Sequence, residues 1–348
     1  MQKVFEIIFY CFSFLSLYVQ IYFLIIFLEN YKDLKIRRHK IKLFENESEY
    51  PGVTITVPAY NEGENVAKTV ESLLKLNYPK NKLFLILVDD GSTDNGKTWE
   101  VMKRYEGHHQ IKIFTKENGG KYTAQNLGLE HSNTEFVGCL DSDSIVDSEA
   151  LNRIISYFLE DEKIMAVAPT IVSNIETNIV QKAQKIDYEL QIYIKKMYGF
   201  INAIHVTPGP FSIFRKEVFE KIGPYKHAHT TEDQEIALRM HQNNMKIEHA
   251  PDAYVFTNTP KTIKALYKQR SRWIYGFIQN ARDYKYLFFK KKYGNIGFIT
   301  LPSGFISIIS VLFLSFFTLY NLIIYIKNKT LTISAVGFSV NSYKLNLD

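Results

Sequence analysis

A chain of 348 residues, 46% apolar and 22% charged, is long enough for one large core or two smaller ones and too apolar for a disordered tail. The net charge of +6 comes mostly from basic residues flanking long apolar runs, and no patterned basic helix carries interleaved aromatics, which argues against nucleic acid as a partner. Of the two cysteines, Cys11 lies in the first apolar run and Cys139 in a short apolar stretch before Asp141, so neither suggests a disulfide or a zinc site.

From Val4 to Leu28 the chain is apolar apart from Glu6, Ser13, Ser16 and Gln20. As a helix those residues reach about 37 Å, enough to cross a hydrocarbon layer of about 30 Å with tilt. No small-residue cleavage site precedes Glu29, so an uncleaved anchor over 1–30 is expected rather than a signal peptide. Lys32, Lys35, Arg37, Arg38, Lys40 and Lys42 follow in a basic linker, 31–52, and Lys290, Lys291 and Lys292 precede the last apolar run. The positive-inside tendency places the segment between these flanks in the cytoplasm, at the cell membrane.

Within 53–260, apolar runs alternate with helical patterns. Val53 to Pro58 reads as a strand, Asn61-Glu62-Gly63 as a turn, and Val66, Val70, Leu73 and Leu74 keep helical spacing. Leu83 to Val88 is a second strand, ending in Asp89-Asp90-Gly91-Ser92-Thr93-Asp94; Ile111 to Thr115 is a third, followed by Asn118-Gly119-Gly120 and a helix from Lys121 to Leu129. Phe136 to Leu140 then stops at Asp141-Ser142-Asp143. Asp147 is placed to cap a helix carrying Leu151, Ile154, Ile155 and Phe158, and Ile164 to Pro169 is a further strand. This alternation specifies an α/β fold with a mostly parallel sheet flanked by helices. Past Thr177 a long helical stretch, Pro208-Gly209-Pro210-Phe211 and a short helix ending at Gly223 read as an accessory half over the sheet's open edge.

Ligands of such sheets lie across the carboxyl ends of the strands, so Tyr60, Glu62, Asp90, Lys121, Asp141 and Asp143 are expected to converge. Asp141 and Asp143 alternate along an extended backbone and can face one hard cation, although such a pair is also what a helix-capping turn contains. Aromatic face, carboxylates, cation and lysine together suit a nucleotide, whereas Gly119-Gly120-Lys121 lacks P-loop spacing and no G-x-G-x-x-G follows a strand. Tyr60 alone reads as ordinary packing. Glu232 and Asp233, in Thr230-Thr231-Glu232-Asp233, open a helix; that position favours acids anyway, and it also suits a general base. In Gln269-Arg270-Ser271-Arg272-Trp273, helical spacing puts Gln269, Arg272 and Trp273 on one face, fit for phosphate and a sugar ring. Ile263, Leu266, Ile274 and Phe277 beside Lys264 and Lys268 make 261–293 an amphipathic, interfacial region.

In this order VPAYNE, DDGSTD, GGK, DSD, TPGPFSIFR, TED and QRSRW, from Val53 to Trp273, resemble the membrane-bound family 2 glycosyltransferases, the group of cellulose, chitin, hyaluronan and poly-N-acetylglucosamine synthases. The resemblance implies a GT-A fold, a UDP-sugar donor, Mg²⁺ or Mn²⁺, and an inverting displacement at the anomeric carbon. It assigns Tyr60, Glu62 and Asp90 to the nucleoside, Lys121 to the diphosphate, Asp141 to nucleotide and metal, and Asp143 to the metal. Asp233 is then the base, Gln269 and Arg272 clamp the diphosphate, and Trp273, Gly209 and Glu232 meet the acceptor.

Polymer synthases of that group continue through several more membrane helices, whereas the only later apolar run here is Ile296 to Ile326, followed by a tail, 327–348. With Pro302 and Gly304 near its start, 294–326 reads as a re-entrant piece and one span. Asn328-Lys329-Thr330, beyond that span, is a glycosylation sequon compatible with an outside tail. A pore would need an oligomer or a partner membrane subunit, and the acceptor is a polysaccharide or, alternatively, a membrane lipid. Two other classes stand beside the enzyme reading: a glycoside hydrolase, which needs neither nucleotide nor metal, and a non-catalytic subunit of a larger synthase.

Overall fold

The computed structural model describes residues 2–32, 34 and 44–336. Lys35, Arg37, Arg38, Lys40 and Lys42 of the basic linker, and the tail beyond 336, lie outside the described residues.

In chain order the elements are α1 (Gln2–Glu29), β1 (Val53–Ala59), α2 (Asn65–Leu74), β2 (Leu83–Asp89), α3 (Lys97–Lys103), β3 (Ile111–Thr115), α4 (Lys121–Glu130), β4 (Phe136–Cys139) and β5 (Ile145–Val146). Then come α5 (Ala150–Glu160), β6 (Ile164–Ser173), α6 (Ile179–Phe200), β7 (Ile213–Arg215), α7 (Glu217–Ile222), α8 (Glu232–Gln242), β8 (Lys246–Thr257), α9 (Ile263–Asp283) and α10 (Leu301–Val336). The eight strands form one sheet in the order β3-β2-β1-β4-β7-β6-β8-β5. It is mixed: β3, β2, β1 and β4 run parallel, β7 is antiparallel to both β4 and β6, β8 is parallel to β6, and β5 is antiparallel to β8.

β1 is buried at every residue and β2 at all but Phe84, as expected of parallel strands covered on both faces. The core runs from Ile55, Leu85 and Leu87 through Phe136 and Phe158, whose rings lie 4.7 Å apart, to Phe211 and Ile213. The stretch past Thr177 is more than the expected accessory layer: it supplies β7 and β8, two of the eight strands of the sheet. The physical reason is that β7 has only three residues and β8 carries Pro251 and Asp252 in mid-strand, so neither makes an apolar run. Asp147 also differs from expectation: Glu149 holds the cap position of α5, and Asp147 Oδ1 accepts the Glu149 N–H at 3.1 Å.

Two compact units divide the chain: Phe23–Leu301, and the outer parts of the first and last helices, residues 2–22 with 302–336. In the second unit Phe5 stacks on Phe313 and Tyr320, at 6.3 and 5.7 Å, and Phe12 meets Phe313 at 5.4 Å. Lys3–Glu29 and Ile296–Ala335 are long and apolar enough to cross a membrane, with mean hydropathies of 2.2 and 2.1. The expected interruption at Pro302 and Gly304 does not occur. A π-helical turn, Ile296–Thr300, leads directly into α10, and Pro302 lies just past it, where the local departure from regular α-helical bonding accommodates the missing N–H. Asn328 and Thr330 consequently sit within α10 rather than on a tail.

Candidate active site

β1 feeds β2 and β3 on one side, while β4 joins it on the other, so the strand order switches between β1 and β4. Loops leaving such a pair diverge and open a crevice at the carboxyl edge. Tyr60 and Glu62 follow β1, and Asp141 and Asp143 follow β4. Because β7 is antiparallel to β4, the segment entering it, Pro208-Gly209-Pro210, arrives at that same edge, where the Phe211 N–H donates to Cys139 O.

Asp90, after β2, is 3% exposed and turns both carboxylate oxygens inward. It accepts from Gly119 N at 3.1 Å, from Gly120 N at 2.9 Å and from Lys116 Nζ at 2.7 Å. Asp90 thus shapes the turn that opens α4, and Lys121 is the first residue of that helix.

Lys121 joins the two halves of the sheet. Its Nζ lies 2.5 Å from Asp141 Oδ1, after β4, and 3.7 Å from Glu232 Oε1, at the start of α8. Burial alone would depress the ammonium, but Asp141 and Glu232 hold it well above the usual lysine range. Gly209 makes room for this cluster: a Cβ there would collide with Lys121 Nζ and stand 3.3 Å from Asp141 Oδ1. Asp143 is pushed up by burial and by the charge of Asp141, and Glu62 is pushed up by burial and by Asp143 and Asp141. Three carboxylates therefore share one field. Among the described residues no three His, Cys, Asp or Glu side chains already converge as a metal cage. The donor set instead fits a hard cation held by one or two carboxylates and completed by ligand oxygens, the usual arrangement for Mg²⁺.

α8 precedes β8, which runs parallel to β6, and its N-terminus carries Glu232 and Asp233 to this edge. Glu232 is 8% exposed. Burial, the adjacent Glu232 and Asp141 push Asp233 up to about 6, against the pull of Lys121. Its main-chain carbonyl accepts from Thr207 N at 3.1 Å and Thr207 Oγ1 at 2.9 Å, which fixes the backbone at that residue. On the far side of Asp233, burial holds Lys195 down to about 8 and His205 to about 4.

Residues 54–223 match the family described as Glycosyl transferase family 2. They are a domain of that family. The poly-beta-1,6-N-acetyl-D-glucosamine synthase of Staphylococcus epidermidis is 33% identical over 227 residues, 65% of this chain and 54% of that protein. The protein of the same name from Staphylococcus aureus strain COL is 33% identical over 233 residues, 66% of this chain and 56% of its own. The chain thus spans about half the length of the curated relatives it matches. Among solved structures, the mannosyltransferase PcManGT from Pyrobaculum calidifontis, in complex with GDP-Man and Mn²⁺, superposes with a TM-score of 0.56 at 20% identity over 78% of this chain and 76% of that one. That likeness is one of fold.

Around the family 2 domain, α9 brings the last motif. Trp273 is 36% exposed, with the Arg270 guanidinium 4.5 Å above its ring, and Arg270 Nη2 pairs with Asp187 Oδ2 of α6 at 2.6 Å. Arg272 is exposed and Gln269 half-buried, its Oε1 unpaired among the described residues. Lys121, Asp141, Glu232, Asp233 and Gly209 stand together, with Glu62 and Asp143 in their field; Tyr60, at 47%, and Arg272 are exposed. The sequence reading passed over three residues that belong to this edge. Tyr188 is raised by burial and feels Arg270, Asp187 and Asp143 together, which ties α9 to the carboxylates through α6. Tyr225 lies in the field of Glu232, Lys121 and Asp233 and is pushed far up by its burial. Asp187 holds Arg270. None carries a motif, and only the helical neighbourhood of Asp187 and Tyr188 could have drawn attention to them.

Proposed function

We propose that this chain is an inverting, divalent-metal-dependent glycosyltransferase. It moves a sugar from a UDP-sugar to a hydroxyl of a growing β-linked polysaccharide at the cytoplasmic face of a membrane. The observation that carries this reading is Lys121, paired with Asp141 on one side and reaching Glu232 on the other, with Asp233 beside them. One cation thereby links the turn after β4 to the acids that open α8, as a diphosphate between donor and acceptor halves would require. The relatives' N-acetylglucosamine polymers favour an N-acetylhexosamine as the transferred sugar.

The chemistry follows from the charge states. Asp233, near 6, is ionised at neutral pH and still basic enough to take the proton of an attacking hydroxyl. The hydroxyl oxygen bonds to the anomeric carbon as the bond from that carbon to the UDP oxygen breaks on the opposite face. Configuration inverts, and the proton stays on the carboxylate. Lys121, held protonated, meets the departing diphosphate with a fixed cation. Asp141 and Asp143 would hold Mg²⁺ or Mn²⁺, which would supply neutralising charge for the same diphosphate. Gln269, Arg272 and Trp273 would close over the pair from α9, with Trp273 as a platform for the acceptor sugar.

The test is to supply membranes containing the full chain with a panel of radiolabelled UDP- and GDP-sugars. Label from UDP-N-acetylglucosamine should enter a high-molecular-weight, polar product. Label confined to the lipid extract would replace the polymer with a lipid acceptor, and no incorporation from any donor would overturn the transferase reading.

A further inference from the structure

The backbone that delivers Asp233 to the site is one that its own sequence would not choose. Ala228, His229 and Thr230 have φ of 43°, 53° and 67°, three consecutive left-handed residues with no glycine among them. Side chains with a Cβ hold such a conformation only where the surroundings impose it.

The imposing surface is one stripe of α9. Gly276 lies so close to Thr231 that a Cβ on it would collide with the threonine's hydroxyl and methyl. One turn on, the buried Asn280 donates through Nδ2 to Thr231 Oγ1 at 2.9 Å. At the end of the helix Asp283 pairs with His229 Nε2 at 2.9 Å, and the His229 ring stands edge-on to Tyr275 at 6.4 Å. Positions 276, 280 and 283 follow helical spacing, so these contacts come from a single face. Thr231 is spent on them. It occupies the cap position of α8, where a threonine hydroxyl ordinarily accepts from the helix, but it donates to Ala228 O at 3.1 Å and caps nothing.

We propose that the Gly276, Asn280 and Asp283 stripe of α9 is a positioning device: through Thr231 and the left-handed run it holds Asp233 where an acceptor hydroxyl can reach it. The proposal rests on the reading of Asp233 as the base. The stripe's contacts run to Thr231 and His229, so its residues act through Asp233 and are positioning residues. Since α9 also carries Gln269 and Trp273, base and acceptor platform move as one body.

The experiment uses the full chain in membranes with UDP-N-acetylglucosamine, measuring kcat, donor KM and thermal midpoint. Gly276→Ala should lower kcat by about 10²-fold, the cost of misplacing a reacting group by about 1 Å. Donor KM should stay within about twofold, because the donor half is untouched. If Gly276→Ala fails to fold, Asn280→Asp and the solvent-exposed Asp283→Asn read the same stripe, with smaller losses of kcat at constant donor KM. A lowered midpoint with unchanged kcat would reduce the stripe to packing and overturn the proposal, as would a rise in donor KM alone. Asp233→Asn separates the two levels. If it abolishes transfer while the stripe variants keep full kcat, only the positioning role falls; if it transfers normally, the base assignment falls and takes the proposal with it.

Discussion

The two halves of the sheet hold their acids in opposite ways. On the β1 to β3 side Asp89 and Asp90 are consumed by the loops that follow β2 and β3. Asp89 takes the Ser92 N–H and hydroxyl, and Asp90 takes two glycine N–H groups and Lys116. On the other side, from β4 through α8, charge is left open to change: Asp233 is raised to about 6, Asp143 is raised, and Lys195 is lowered to about 8. A group bonded to loop N–H groups can shape a cradle, but a group that remains basic in a buried site can move a proton. On the proposed function the first half is the frame for the nucleotide and the second performs the transfer; Lys121, near both Asp141 and Glu232, joins them.

That contrast can be broken most severely at Asp233. Replacing it by Asn should reduce turnover by about 10³-fold, within the range for losing a general base, while transfer assays on the same membranes show unchanged donor KM. Stability should move the other way. An aspartate whose folded pKa is raised binds its proton more tightly in the folded chain, so its charge costs stability above the unfolded value and the cost fades as pH falls through about 6. The neutral Asn should therefore raise the thermal midpoint at pH 7. Next in size is Lys121→Ala, which leaves Asp141 and Glu232 facing each other without their cation. Transfer should fall by about 10²-fold, with a rise in donor KM as well as a loss of kcat.

A pH series sharpens the comparison without mutation. In the wild-type chain kcat/KM should fall towards acid with a midpoint near 6, as Asp233 of the free enzyme takes up its proton. The smallest effect is expected at the frame. Asp90→Asn keeps the shape but loses the charge that holds Lys116 and the two N–H groups, and it should cost about 1–3 kcal/mol of stability, read by thermal unfolding, with little change in kcat of the folded fraction.

How much of this was legible depended on whether a residue's partners were near it in sequence. β2 and β4 are apolar runs that stop at acids, and β1 is one that leads into Tyr60-Asn61-Glu62, so both the strands and the edge they build could be read directly. Asp141, Asp143, Glu232 and Asp233 could be named because strand ends and helix starts are where acids matter. β7 could not be read at three residues, nor β8 through Pro251 and Asp252, and with them went the true extent of the sheet. The bonding of Asp90 into the Gly119-Gly120 turn depends on a loop about thirty residues away. The hold of Gly276 and Asn280 on Thr231 depends on a helix nearly fifty residues on. Arg270 illustrates the limit. Spacing placed Arg272 on the same face as Trp273, but packing against α6 selected Arg270 to cover that ring.

The most direct measurement takes two readings from one preparation of Asp233→Asn in membranes: stabilisation by UDP with Mn²⁺, and transfer of radiolabelled sugar. The account predicts stabilisation equal to wild type and transfer reduced by about 10³-fold. Transfer at the wild-type rate, or loss of nucleotide stabilisation together with transfer, would contradict it.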